Sequence, residues 1–197
     1  MNILLLGYRG SGKSTLGKLV AAQTWKDFVD LDPRVTAKFD GRSIADIWQH
    51  EGEAAFRAAE VQTLAELLEN DDQVIALGGG TVMQPAAAAL VAELTDARRV
   101  YLHCKPEVLA QRIAADPASA ANRPALLGDA ERGGGAVGGA EQTGERGAGG
   151  GHAADLAEIT AVLADREPTY RRLADVVFDV THVTPADAAA YLVRHHL

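Results

Sequence analysis

Gly7-Tyr8-Arg9-Gly10-Ser11-Gly12-Lys13-Ser14-Thr15 follows the apolar run Asn2-Ile3-Leu4-Leu5-Leu6 and precedes Leu16, Leu19, Val20 and Gln23. The nonapeptide has the spacing G-x-x-x-x-G-K-[ST], a phosphate-binding loop. The run before it is short enough for a buried strand. The residues after it repeat at i, i+3, i+4 and i+7, a helical stripe. A glycine loop between a strand and a helix is the context in which the motif works. Backbone N–H groups of Gly10, Ser11 and Gly12 can curl around phosphate oxygens. The helix opening at Lys13 turns its positive end toward the same anion. Lys13 can reach the β- and γ-phosphates, the Ser14 hydroxyl can ligate Mg²⁺, and Thr15 completes the loop. The reading implies a nucleoside triphosphate as co-substrate with Mg²⁺.

Moving outward, Phe28-Val29-Asp30-Leu31-Asp32-Pro33 alternates apolar and acidic residues, a strand period. On an extended strand Asp30 and Asp32 would face one way, and Pro33 would end the pairing. Ser43 with Asp46 reads as a helix cap, and a second helix is expected from about Glu51 to Glu69. Within it, Glu53, Arg57 and Glu60 have the spacing of surface helix ion pairs. Val74-Ile75-Ala76-Leu77 is a buried-strand run ending in Gly78-Gly79-Gly80, which permits close backbone approach by a ligand. Helices are expected from Pro85 to Leu94 and from Pro106 to Ala115, the latter containing Arg112. Val100 to Cys104 and Val176 to Val180 read as strands. A helix from Asp155 to Leu173 should kink or restart at Pro168. Thr184-Pro185-Ala186-Asp187 caps the last helix.

Residues 133–151 differ from the rest: ten of the nineteen are Gly, without a collagen period. Such a segment buries too little to offset its ordering entropy and is expected to be a flexible excursion within a lid. Alternation of strands and helices elsewhere predicts one α/β domain over 1–197, a parallel sheet covered on both faces. Ligands in such sheets sit beyond the carboxyl ends of the strands, where the loop, Asp30, Asp32 and Gly78–Gly80 all fall.

The 197 residues suffice for one domain with a core, and the net charge of −8 argues against nucleic acid or an anionic membrane as partner. The single cysteine, Cys104, excludes an internal disulfide framework and reads as a small buried residue at a strand end. Met1–Leu6 lacks a basic region and is read as the first strand rather than a signal peptide. A cytoplasmic monomer is expected.

Phosphoryl transfer needs alignment, charge neutralisation and a carboxylate near the attacking hydroxyl. Asp32 suits that last task, and Asp30 suits metal support through water. Arg57 and Arg166 could grip an anionic acceptor through bidentate pairs, and Arg123 could reach the phosphates from a closing lid. Spacing alone fits each arginine equally well to a solvated or salt-bridged side chain.

Taken together, GYRGSGKST at 7–15, DLD at 30–32, GRSIADIW at 41–48, EGEAAFR at 51–57, LGGG at 77–80, NRP at 122–124 and REPTY at 166–170 resemble the shikimate kinase family. The resemblance spans nearly the whole chain. It implies a three-layer α/β/α P-loop kinase of nucleoside-monophosphate-kinase type. Its five-stranded parallel sheet would carry a substrate-binding helical region at 33–61 and a lid at about 113–154. It implies transfer of the γ-phosphoryl of ATP to the 3-hydroxyl of shikimate, a step of aromatic amino-acid biosynthesis. Asp32 would hold the reacting hydroxyl. Arg57, Arg166 and the Gly79 backbone would bind shikimate, with Glu60 orienting Arg57. Lys13 and Arg123 would contact phosphates, Arg112 would lie near adenine, and Ser14 and Asp30 would serve Mg²⁺. The chain departs from the family pattern with Trp48 for Phe, Ala125 for Leu, Val183 for a basic residue beside adenine, and the long 133–151 excursion. The alternatives are another small-molecule kinase of the same fold, such as a gluconate kinase, and a non-catalytic nucleotide-binding module.

Overall fold

The structure, a computed structural model, describes residues 1–116 and 156–197. Five parallel strands form one sheet: β1 (Asn2–Leu6), β2 (Asp27–Asp30), β3 (Gln73–Ala76), β4 (Ala97–His103) and β5 (Val176–Asp179). Their order is β2-β3-β1-β4-β5. β1 is central, and all five of its residues are buried. Successive strand side chains point to opposite faces, so burial of every one means both faces are covered. That is why the run reads as continuously apolar rather than alternating.

Eight helices among the described residues connect and cover the strands. They are α1 (Lys13–Thr24), α2 (Leu31–Ala37), α3 (Ile44–Glu51), α4 (Glu53–Leu68), α5 (Pro85–Glu93), α6 (Pro106–Ala114), α7 (Leu156–Leu173) and α8 (Pro185–His195). α1 packs against α8 and β3, while α7 packs against α5, α6 and β4. A short 3-10 turn, Thr81–Met83, follows β3. The caps fall where expected: Ser43 Oγ accepts from the Asp46 N–H at 3.1 Å, and Thr184 Oγ1 from the Asp187 N–H at 3.2 Å. No helix among the described residues is long and apolar enough to cross a membrane.

Three expectations are corrected. β2 stops at Asp30, and Asp32 lies in the first turn of α2 rather than on a strand with Asp30. Pro33 does not end pairing; it sits within the first turn, where its missing N–H has no intrahelical acceptor to lose. Asp30 keeps extended dihedrals, φ −99° and ψ 125°, as the residue before the helix. Glu51 closes α3 and does not open α4; Gly52, at φ 85°, separates the two. Of the kink or restart expected near Pro168, the restart does not occur: α7 is one helix through that residue. The expected lid with its 133–151 excursion lies almost wholly outside the described residues.

Candidate active site

Strand register brings the chemistry together. Leu5 pairs with Ala76 and Asp30 pairs with Ala76, so β1, β2 and β3 end side by side. The phosphate loop leaves β1, α2 starts at the end of β2, and the glycines leave β3. Two adjoining cavities open there.

The larger cavity, about 420 Å³, is lined by Gly10 to Thr15 together with Asp30 and Arg112. Gly12, at φ 91° and ψ 15°, caps α1; that left-handed turn aims the first helical N–H groups into the cavity. Lys13 Nζ donates to the carbonyls of Gly7 at 2.7 Å and Tyr8 at 2.9 Å, which fixes the ammonium across the loop. The Ser14 hydroxyl donates to Asp30 Oδ2 at 2.5 Å. Ile113, Val183, Pro185 and Ala188 add apolar surface to the same lining. Arg112 Nη2 donates to the Val180 carbonyl at 2.9 Å, which holds the guanidinium beside that surface.

Among the described residues no group of three His, Cys, Asp or Glu side chains could hold a metal ion. Ser14 and Asp30 instead present two hard oxygens in contact. A cation of the magnesium type takes one or two protein oxygens and completes its shell with water and substrate phosphates. The donor set fits that ion.

The smaller cavity is lined by Trp48, Phe56, Arg57, Glu60 and Arg166 and by Gly78 to Gly80. Arg57 is fixed from two sides. Its Nη1 donates to Glu60 Oε2 at 2.8 Å and its Nε to Glu53 Oε1 at 3.1 Å. The guanidinium also lies 5.3 Å from the Trp48 ring and 5.7 Å from that of Phe56. The Arg57–Glu60 pair is no surface ion pair, because the Glu60 side chain is 1% exposed. Burial pushes the Glu60 carboxyl up, and the Arg57 guanidinium and the Thr81 hydroxyl oppose that push. Burial also disfavours the Arg57 charge, but Glu60 and Glu53 outweigh it and raise its pKa. Thr81 Oγ1 donates to Glu60 Oε1 in a short bond. Gly78 is where these groups converge: a Cβ there would stand 2.7 Å from Asp32 Oδ1 and 2.8 Å from Glu60 Oε1.

Arg166 arrives from α7. Its Nη1 donates to the Gly79 carbonyl at 3.1 Å, and the Tyr170 hydroxyl donates to the same oxygen. Burial raises the Tyr170 pKa to about 12, so the hydroxyl keeps its proton at neutral pH. Tyr170 in turn stacks on Tyr101 of β4, with ring centroids 5.1 Å apart.

The structure thus gathers Gly10 to Thr15, Asp30, Asp32, Arg57, Gly79, Arg112 and Arg166 around one cleft. Arg123 lies outside the described residues. Sequence reasoning missed Arg9, Thr81 and Tyr170. Tyr170 closes the quoted REPTY stretch and Thr81 follows the glycines, so position was a signal for both. Arg9 occupies a variable position of the loop motif, which carries none.

Comparison with known proteins follows the same lines. A family model described as shikimate kinase matches residues 9–196. A curated shikimate kinase of Rhodopirellula baltica is 35% identical over 181 residues, 92% of this chain and 82% of that protein. One from Stenotrophomonas maltophilia strain K279a is 36% identical over 192 residues, 98% of this chain and 89% of that protein. Among solved structures, shikimate kinase from Acinetobacter baumannii in complex with shikimate superposes with a TM-score of 0.77 at 26% identity. The match covers 98% of this chain and 90% of that one. Shikimate kinase from Bacteroides thetaiotaomicron gives a TM-score of 0.73 at 26% identity, covering 98% and 97%.

Proposed function

The chain belongs to the shikimate kinase family, and on that premise we propose how its cleft transfers the γ-phosphoryl group of ATP to the 3-hydroxyl of shikimate, giving shikimate 3-phosphate and ADP. The larger cavity takes the nucleotide. Loop N–H groups and Lys13 hold its phosphates, and Arg112 and the apolar surface receive the base. The smaller cavity takes shikimate. Arg57 and Arg166 pair with its carboxylate, and Trp48 and Phe56 wall its ring. Asp32 accepts a hydrogen bond from the attacking hydroxyl and takes its proton as the new P–O bond forms. Ser14 and Asp30 would hold Mg²⁺, which would supply charge neutralisation at the phosphates. Arg123, which the family pattern assigns to the phosphates, acts on the same group. The enzyme works as a monomer in the cytoplasm, a reading with which the buried free thiol of Cys104 is compatible.

The observation that carries this reading is that Asp32 lines both cavities, which puts a carboxylate where donor and acceptor meet. The test is ADP release from Mg·ATP with shikimate, with gluconate and without acceptor. Release that depends on shikimate is expected. Release with gluconate alone, or nucleotide binding with no acceptor-dependent release, sinks the reading.

A further inference from the structure

Three residues line both cavities: Asp32, Gly79 and Arg9. The first two have roles in the transfer proposed above. Arg9 has none, yet it is the cation of the three. We propose that Arg9 is a catalytic residue whose guanidinium contacts the phosphoryl group in transit, on the loop itself and from within the same chain. The inference rests on the proposed acceptor, because it needs the two cavities to hold donor and acceptor.

Several observations point to this role. Among the described residues Arg9 Nε is buried with no hydrogen-bond partner, and the guanidinium lies beside the Tyr8 hydroxyl. An N–H of a charged guanidinium left dry and unpaired is costly, so the position favours an anion that arrives with substrate. The Gly79 backbone lies flat against this part of the loop. A Cβ on Gly79 would come within 3.1 Å of the Arg9 backbone nitrogen. Any larger residue there would press on the loop backbone that carries Arg9.

Two anions could meet Arg9: the acceptor's carboxylate, or the phosphoryl group passing between the cavities. Placement decides between them. Arg57 and Arg166 line the acceptor cavity and not the nucleotide cavity, so the carboxylate already has two cations on its own side. Arg9 shares the junction with Asp32, where the attacking hydroxyl sits. In the transfer, the bond from the γ-phosphorus to the β,γ-bridging oxygen breaks and its electron pair leaves on ADP. The hydroxyl oxygen bonds to the same phosphorus, and its proton passes to Asp32. Negative charge spreads over the three equatorial oxygens in between. A guanidinium at that point stabilises the charge as it develops, and more strongly where water is excluded.

The test compares the full-length wild type with Arg9→Met, which keeps the length and loses the charge, and with Arg9→Lys. Turnover and KM are measured by ADP release. Affinities for shikimate and for shikimate 3-phosphate are measured by calorimetry, and unchanged melting checks the fold. Arg9→Met should lower kcat on the order of 10²-fold or more, with the KM for shikimate within about threefold. It should weaken the phosphorylated product about tenfold or more while leaving shikimate affinity unchanged. Arg9→Lys should recover part of both. A kcat within about twofold of wild type overturns the inference. So does a loss of shikimate affinity equal to that of its phosphate, which would place Arg9 on the carboxylate. A wild type without shikimate-dependent release overturns the acceptor itself; an active wild type with an unimpaired Arg9→Met overturns only the role of Arg9.

Discussion

The two halves of the cleft are built by different means. The phosphate end of the nucleotide half is one contiguous stretch of backbone, Gly7 to Thr15, whose N–H groups and helix end are proposed to do the binding, while Arg112, Val183 and Pro185 reach the same cavity from elsewhere in the chain. The acceptor half is assembled from side chains of α2, α4, α7 and the glycine turn after β3. A backbone site tolerates changes in its neighbours, because its donors belong to the fold. A side-chain site depends on each partner that holds each group in place. Damage to the acceptor half should therefore be local in function and visible in stability, whereas the nucleotide half should stay intact.

The largest effect is expected at the boundary. Asp32→Ala should lower turnover by about 10²–10⁴-fold, the range for a positioned base. ATP binding should persist, since Lys13 is fixed by the loop's own carbonyls. Unchanged turnover, or lost ATP affinity, would break the division between the halves.

Glu60→Gln is the next strongest probe. It leaves Arg57 buried beside a neutral amide, with only the more exposed Glu53 as counter-ion. Removing one member of a buried pair costs about 3 kcal/mol of stability. The KM for shikimate should rise and that for ATP should not. Equal changes in both constants would show that α4 supports the whole cleft. Tyr170→Phe is milder. It keeps the stacking on Tyr101 and removes one of two donors to the Gly79 carbonyl. About 1 kcal/mol of stability should go, read as a lower Tm, with a modest rise in the KM for shikimate. No change in either would mean that Arg166 alone holds that carbonyl.

This difference also decides what the sequence could disclose. The nucleotide half is legible because its function is a local pattern: an apolar run, glycines at set spacing, then a helical stripe. The parallel order of strands follows from the alternation of elements. The sequence marks Asp32 as chemically important but sets it on a strand, because Asp30-Leu31-Asp32 alternates like one. Pro33 can end a strand or sit in a helix's first turn, and only packing chooses between them. The Arg57–Glu60 spacing is visible, but i, i+3 says nothing of burial, and the pair's weight comes from Glu60 being dry. Tyr170 and Thr81 act through contacts with Gly79 and Glu60 across long sequence separations, 91 and 21 residues. No local pattern encodes such contacts.

The smallest expected effect lies outside both halves and serves as their control. Asp175 joins β5 to β4: its carboxylate accepts from Arg99 Nε at 2.9 Å, Nη2 at 2.8 Å and the Arg99 N–H at 2.8 Å. The hydrogen bonds from Arg99 hold this carboxyl below the usual range, against a smaller effect of burial. A native value below the unfolded one means that the ionised form favours the folded state. That contribution is present above the ordinary Asp value of about 3.9. It fades as pH falls through the lowered native value. Asp175→Asn should thus cost up to about 1 kcal/mol at pH 7, since the pair is partly solvated. The backbone bond from the Asp175 N–H to the Arg99 carbonyl, 2.9 Å, remains. Urea unfolding of both proteins at pH 7 and near pH 3 measures the gap, which should shrink at the lower pH. Kinetic constants for ATP and shikimate should not move, because the pair touches neither cavity. A shift in the shikimate constant alone would mean that strain at the β4–β5 edge reaches Arg166 through Tyr101 and Tyr170, and that the acceptor half extends across the sheet.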